Sequence, residues 1–130
     1  MTIEASVWQI LADDAGIGAI CNNRIYPVRL PQDATFPAIV YTRISSIRHS
    51  AMGSDCGIVE KRIQVSSWGK TYAAANALAE AVRDALQRFR GTVDGVVIQD
   101  IFVDGDGPET WEDDAEAWQG VCDYRVIYEE

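Results

Sequence analysis

Apolar residues recur every three or four positions in two stretches of this chain and every second position in others, so pattern alone separates helices from strands. The clearest helical period runs from Tyr72 to Phe89. Ala75, Leu78, Ala79, Val82, Leu86 and Phe89 share one face, and Asn76, Glu80, Arg83, Asp84 and Gln87 lie opposite. Thr71 is placed to cap its start, and Gly91 to supply a left-handed residue beyond its end. Arg88 and Arg90 suit the negative end of its dipole. An earlier helix is predicted over Thr2 to Ala12, with Thr2 as N-cap, Glu4 in the first turn and Ile3, Val7, Ile10 and Leu11 on one side. Asp13 and Asp14 break it, and a short helical turn follows from Ala15 to Cys21.

Strand patterns fill most of the remainder. Pro27 and Pro31 forbid a helix between Arg24 and Pro31 and keep that piece extended, as an edge or a connection. Ala38 to Ile47 is β-branched and aromatic without a helical period. Ser50, Gly53, Ser54, Asp55 and Gly57 then predict a long exposed hairpin connection over Arg48 to Gly57. From Ile58 to Trp68 the alternation is clean, with Val59, Ile63 and Val65 on one face and Glu60, Arg62, Gln64 and Ser66 on the other. Val93 to Val103 reads as one further strand, with Gly95 near its start. Asp104 to Trp118 reads as an acidic loop, and Gln119 to Tyr128 as the closing strand. The expected fold is α+β: an antiparallel sheet of about four strands, with the long helix and the N-terminal helix on one face. A length of 130 residues suits a single domain spanning 1–130.

Charge sharpens this picture. The net charge is −9, and Asp104, Asp106, Glu109, Glu112, Asp113, Asp114 and Glu116 lie close together with no basic residue among them. Without those seven the rest of the chain carries only −2, so one segment holds the field. An acidic protein is a poor match for phosphate backbones or anionic membranes, which call for Lys and Arg. The start, Met-Thr-Ile-Glu-Ala-Ser, lacks the basic opening and apolar run of a signal peptide, and no apolar stretch approaches the roughly 20 residues of a membrane span. A cytoplasmic protein is expected. Cys21, Cys56 and Cys122 are odd in number and widely spaced, which predicts free thiols and neither a disulfide framework nor a zinc site.

Candidate chemistry is sparse. His49, the single histidine, stands in the predicted hairpin connection without a partner group. Phosphate-binding glycine motifs and a nucleophile elbow are missing from the sequence. Asp104-Gly105-Asp106-Gly107 starts like a calcium loop, but Pro108, Glu109 and Ala115 stand at positions 5, 6 and 12, where a ligand, glycine and a bidentate glutamate are needed. No enzyme activity, no metal and no cofactor are therefore expected. Trp111 and Trp118, in or beside the acidic segment, pack back on the domain or meet a partner. The connection carrying Arg48, His49 and Met52 is expected to reach a neighbouring subunit or another protein.

Several runs resemble a family. Arg24-Ile25-Tyr26-Pro27, Leu30-Pro31-Gln32 and Phe36-Pro37-Ala38-Ile39-Val40-Tyr41 look like the opening of bacteriophage tail-completion, or tail-terminator, proteins. Ile63-Gln64-Val65-Ser66-Ser67-Trp68, the helix after it and the closing Asp123-Tyr124-Arg125-Val126-Ile127-Tyr128 continue the likeness in order along nearly the whole chain. The resemblance implies a structural virion protein at the head-proximal end of the tail, assembled in the bacterial host cytoplasm. Such proteins form a ring, commonly a hexamer, that stops polymerisation of the tail-tube protein and joins the tail to a head-completion or connector protein. DNA passes through the ring without being bound specifically. The acidic segment departs from the family pattern; its carboxylates are expected to line the channel or an exposed surface. A phage, a prophage and a gene transfer agent fit the resemblance equally. Two alternatives remain on sequence alone: a head–tail connector, and a small ferredoxin-like module that senses a ligand.

Overall fold

Three helices lie on one face of a six-stranded sheet, and the positions of the apolar side chains explain why. The computed structural model describes residues 3–22, 24–32, 35–51, 54–113 and 116–129, and of residues 48–51, 54–56 and 108 the backbone alone. Helix α1 (Ile3–Asp13) buries Ile3, Val7, Ile10 and Leu11, the stripe expected from the sequence. Helix α2 (Ala15–Cys21) buries Ile17 and Cys21, and the Asp14 carboxylate caps it by accepting from the Ile17 amide at 3.0 Å. Helix α3 (Tyr72–Leu86) buries Ala75, Leu78, Val82 and Leu86, and Thr71 Oγ1 accepts from the Ala74 amide at 3.1 Å. The proposed Thr2 cap lies outside the described residues.

The strands are β1 (Ile25–Pro27), β2 (Ala38–Ala51), β3 (Ser54–Gly69), β4 (Gly91–Val93), β5 (Val96–Glu112) and β6 (Ala117–Glu129). They order as β1-β2-β3-β6-β5-β4. β1 runs parallel to β2 and the other pairs are antiparallel, so the sheet is mixed, with six strands rather than the four antiparallel ones expected. Two short edge strands account for the difference. β1 is three residues ending in proline, too brief to show a period, and β4 is cut from β5 by a two-residue turn. Asp94 and Gly95 both have positive φ, 53° and 83°. That is the type I′ geometry for which Asp-Gly is suited, so Val93 to Val103 is not one strand.

Three further boundaries move. The segment 48–57 is not a long loop, because β2 continues to Ala51 and β3 begins at Ser54. The acidic segment is likewise mostly strand: β5 continues to Glu112 and β6 opens at Ala117. Helix α3 stops at Leu86, three residues short of Phe89. Arg88, with φ 61°, takes the left-handed position foreseen for Gly91. Its amide donates to Ile101 O at 2.6 Å and the Gln87 side chain accepts from the Val103 amide at 2.8 Å. The helix ends where β5 offers it hydrogen bonds. Gly91 opens β4 instead.

The core lies between the helices and the sheet. Val7, Leu11 and Ile17 meet Leu78, Val82 and Leu86 over a floor of Ile39, Val59, Ile63, Ile101, Tyr124 and Val126. Each of the large side chains contributes about 1.5–3 kcal/mol by leaving water. Lys61 also points to this side, 8% exposed, with its Nζ 3.0 Å from Glu4 Oε1. The opposite face of the sheet is polar. Arg62 pairs with Asp123, and Arg125 bridges Glu60 Oε2 at 3.1 Å and Asp104 Oδ2 at 3.2 Å.

Candidate functional site

The residues singled out in the sequence fall on two hairpins. Arg48 and His49 lie within β2 near its turn, and Met52 lies outside the described residues. The six described acidic positions and both tryptophans belong to the β5–β6 hairpin. β5 pairs with β6 from Ile98↔Tyr128 to Glu112↔Ala117, with register breaks after Ile98, Val103 and Asp106.

That pairing sorts the carboxylates by face. Asp104 is on the polar face, where its Oδ2 takes Arg125 Nη2 at 3.2 Å and lies 3.5 Å from Arg62 Nε. Hydrogen bonds donated to Asp104 and Glu60 hold the Arg125 guanidinium above its ordinary pKa. Asp106 is on the helix face, where both oxygens accept from Arg83 Nη2, at 3.1 and 3.2 Å. Its charge likewise raises the pKa of Arg83. Glu109 and Glu112 stand farther along β5. Asp113 accepts from Trp111 Nε1 at 2.8 Å, Glu116 has φ 53° in the turn, and Asp114 lies outside the described residues.

Trp111 and Trp118 are directly cross-strand, with ring centroids 5.6 Å apart in an edge-to-face contact. Trp118 also meets Tyr72, at the start of α3, edge-to-face at 5.4 Å. The two tryptophans thus pack on the domain, yet Trp111 remains 44% exposed and Tyr72 51%. Aromatic contacts of this kind contribute about 0.5–1.5 kcal/mol beyond area burial. Tyr72 was missing from the sequence-based candidates. Its position one residue after a helix cap hid its role; an exposed aromatic at the start of an amphipathic helix is the signal that could have marked it.

Behind the hairpin, a cleft of about 320 Å³ opens between α3 and the strands, lined by Arg83, Asp106, Glu109, Cys122 and Tyr124 among others. Burial first, and then the hydrogen bond with Asp106, pushes the Cys122 thiol up to about 11. Burial also raises the Tyr124 hydroxyl well above its usual range. Both groups are therefore neutral near pH 7. Among the described residues no three His, Cys, Asp or Glu side chains are grouped to hold a metal ion. No described helix is long and apolar enough to cross a membrane. What the arrangement offers is surface: an aromatic cluster beside carboxylates on one hairpin, and a second hairpin at the opposite end of the long strands.

Comparisons with known proteins bear on that surface. The sequence model of the family described as "Tail completion protein gp17" matches residues 5–129. Among solved structures, the chain is similar to a chain of one described as "Virion of native gene transfer agent (GTA) particle". The TM-score is 0.74 at 17% identity, covering 98% of this chain and 95% of that one. At that identity the likeness concerns the fold. No curated protein matches the chain.

Proposed function

The chain belongs to the tail completion protein gp17 family and is a structural protein of a phage-type tail, and from that premise we propose that it forms a ring on the end of the tail tube. The ring stops tube polymerisation and provides the joint to the head connector. One observation carries this reading: the family match runs from within α1 to the last residue of β6, so it takes in nearly all of the described fold. The TM-score of 0.74 to a chain of a gene transfer agent virion supports it independently at the level of shape.

In this reading six copies surround a channel through which DNA passes. The Arg48, His49 and Met52 hairpin reaches a neighbouring subunit or the tube, and Trp111 and Trp118 stand at a protein contact. Desolvated aromatic residues are the commonest anchors of such contacts. The hairpin turn with Asp113, Asp114 and Glu116 faces the channel, where negative charge repels phosphate and lets DNA slide. Asp104 and Asp106 add little to that field, because Arg62, Arg125 and Arg83 compensate them.

Electron microscopy of particles assembled without this chain tests the proposal. Overlong tails, or tails not joined to heads, restored by supplying the chain, are the expected result. Tails of normal length attached to heads in its absence would overturn it. For the acidic turn, a map of the ring that places residues 113–116 on its outer wall removes the channel assignment.

A further inference from the structure

The sheet leaves two strand edges open, and they are opposite in charge. At one edge β1 covers only Ile39 to Tyr41 of β2, and Val28 O accepts from the Thr42 hydroxyl at 3.5 Å just beyond. From Arg43 to Ala51 no described strand pairs with β2 on that side. At the other edge β4 covers only Val96 to Ile98 of β5, and the end of α3 occupies Ile101 and Val103 through Arg88 and Gln87. From Asp104 to Glu112 no described strand pairs with β5 on its outer side. Each open stretch is nine residues long. The β2 stretch carries Arg43 and Arg48 and no acid; the β5 stretch carries Asp104, Asp106, Glu109 and Glu112 and no base.

Both edges also expose apolar side chains: Ile44 is 49% and Ile47 51% exposed on β2, and Trp111 44% on β5. Arg43 is exposed and makes no ion pair among the described residues. An open edge invites pairing with another chain, and proteins usually blunt it. Here the blunting is selective. Two β5 edges would set carboxylates against carboxylates, and two β2 edges guanidinium against guanidinium. Only β2 against β5 brings opposite charges together. Pro108 and the register break beside it further restrict what can pair with β5.

We propose that these edges are the two halves of one interface between copies of this chain: the Arg43–Ala51 edge of one subunit lies along the Asp104–Glu112 edge of the next. Arg43, opposite the buried Ile63 and so on the helix face, meets Glu109, which lines the cleft beside α3 on that same face, and Arg48 adds to the basic charge along the edge. The contact uses different surfaces on the two partners, so it is heterologous, and repeating it closes a ring where the rotation from copy to copy returns to the first. The inference rests on the ring reading above and names the surfaces that make the ring.

A charge-swap experiment tests it. One variant carries Arg43→Glu and Arg48→Glu, so both of its edges are acidic. A second carries Glu109→Arg and Glu112→Arg, so its β5 edge becomes basic like its β2 edge. Native mass spectrometry and sedimentation are run on the full chain, alone and mixed, with circular dichroism to confirm that each variant is folded. The wild type assembles, each variant alone falls to monomer, and an equimolar mixture regains closed rings in which the two alternate. A merely misfolded variant could not be rescued by the other. Variants that assemble as well alone as the wild type would overturn this interface while leaving the ring standing. Loss of assembly that mixing does not restore would overturn it as well. A wild-type chain that stays monomeric at its highest attainable concentration, and on tube tips, removes the ring and this interface together.

Discussion

Replacing Glu4 by Ala should destabilise the protein more than replacing its partner Lys61 by Met, and the second change should relieve the first. Lys61 sits on the core side of β3, its side chain 10% exposed, with Nζ 3.0 Å from Glu4 Oε1 and over the Tyr128 ring at 5.9 Å. Removing the carboxylate strands an ammonium ion among apolar groups. Breaking a fully buried pair costs about 3–5 kcal/mol. Glu4 keeps 28% of its side chain exposed, so water can partly reach the orphaned charge and about 2 kcal/mol is the fair figure. Lys61→Met keeps the volume and removes the charge, and leaves Glu4 at the wetter end of the contact, at a cost of about 1 kcal/mol or less. The double variant should therefore be more stable than Glu4→Ala alone. Urea unfolding at neutral pH, followed by circular dichroism, reads all four proteins. Acid adds a second check. Burial raises the Glu4 pKa, but the Lys61 hydrogen bond, a hydrogen bond from its own backbone amide and the charges of Lys61 and Arg43 together outweigh it and leave the carboxyl below its ordinary 4.5. The stability linked to it is complete above 4.5 and is lost as pH falls through the lower folded value. Single-variant costs that simply add, within about 0.5 kcal/mol, would refute the coupling.

Gly69→Ala should cost about 1–3 kcal/mol, because its Cβ would stand 2.7 Å from the Ala75 amide nitrogen at the start of α3. Gly18→Ala, in a helix with nothing within 4 Å, should instead gain about 0.5–1 kcal/mol. Thermal unfolding distinguishes the two signs. Trp118→Ala should destabilise more than Trp111→Ala, since Trp118 contacts both Tyr72 and Trp111 while Trp111 contacts Trp118 alone among rings; urea midpoints check the order. Cys122, whose thiol rises from 9.0 to about 11, should resist iodoacetamide in the native protein at pH 9 and react once unfolded, as peptide mass mapping will show. Its raised value adds stability that is complete below pH 9 and fades as pH climbs toward 11.

How far the sequence could be read depended on whether local pattern and tertiary contact agreed. The buried stripes of α1 and α3, the Thr71 cap and the alternation of β3 are local properties, and the structure reproduces them. Helix α2 matches its expected span, and Asp14 both breaks the chain from α1, as expected, and caps α2. The end of α3 was not legible, because hydrogen bonds from β5, far along the chain, decide it. The strand character of the acidic segment was hidden for a related reason. Asp and Glu read as loop in isolation, but Asp104 and Asp106 find arginines on β3, β6 and α3 only after the chain has folded. Asp94-Gly95 was legible, and was missed as a turn signal. Trp111 and Trp118 were visible as candidates, whereas their direct cross-strand pairing, and Tyr72 as third member, required the register.

The same register changes what the net charge means. Seven clustered acids count as one field in the sequence, yet in the fold Asp104 and Asp106 face opposite sides of the sheet and each is compensated by arginine. Beyond about 8 Å at physiological salt such pairs are nearly silent. The long-range field therefore comes from the far end of the hairpin, and two groups there have different neighbours. Glu109 and Glu112 lie along the open edge of β5, while Asp113 and Glu116 flank the turn. In the proposed ring a neighbouring subunit along the edge would meet the first pair, and DNA in the channel would meet the second. Asp113→Asn with Glu116→Gln should then leave the oligomeric state unchanged and slow DNA release, whereas Glu109→Arg with Glu112→Arg should abolish assembly. The opposite outcome, a ring that survives the edge reversal and is lost on neutralising the turn, would move the subunit contact to the hairpin tip.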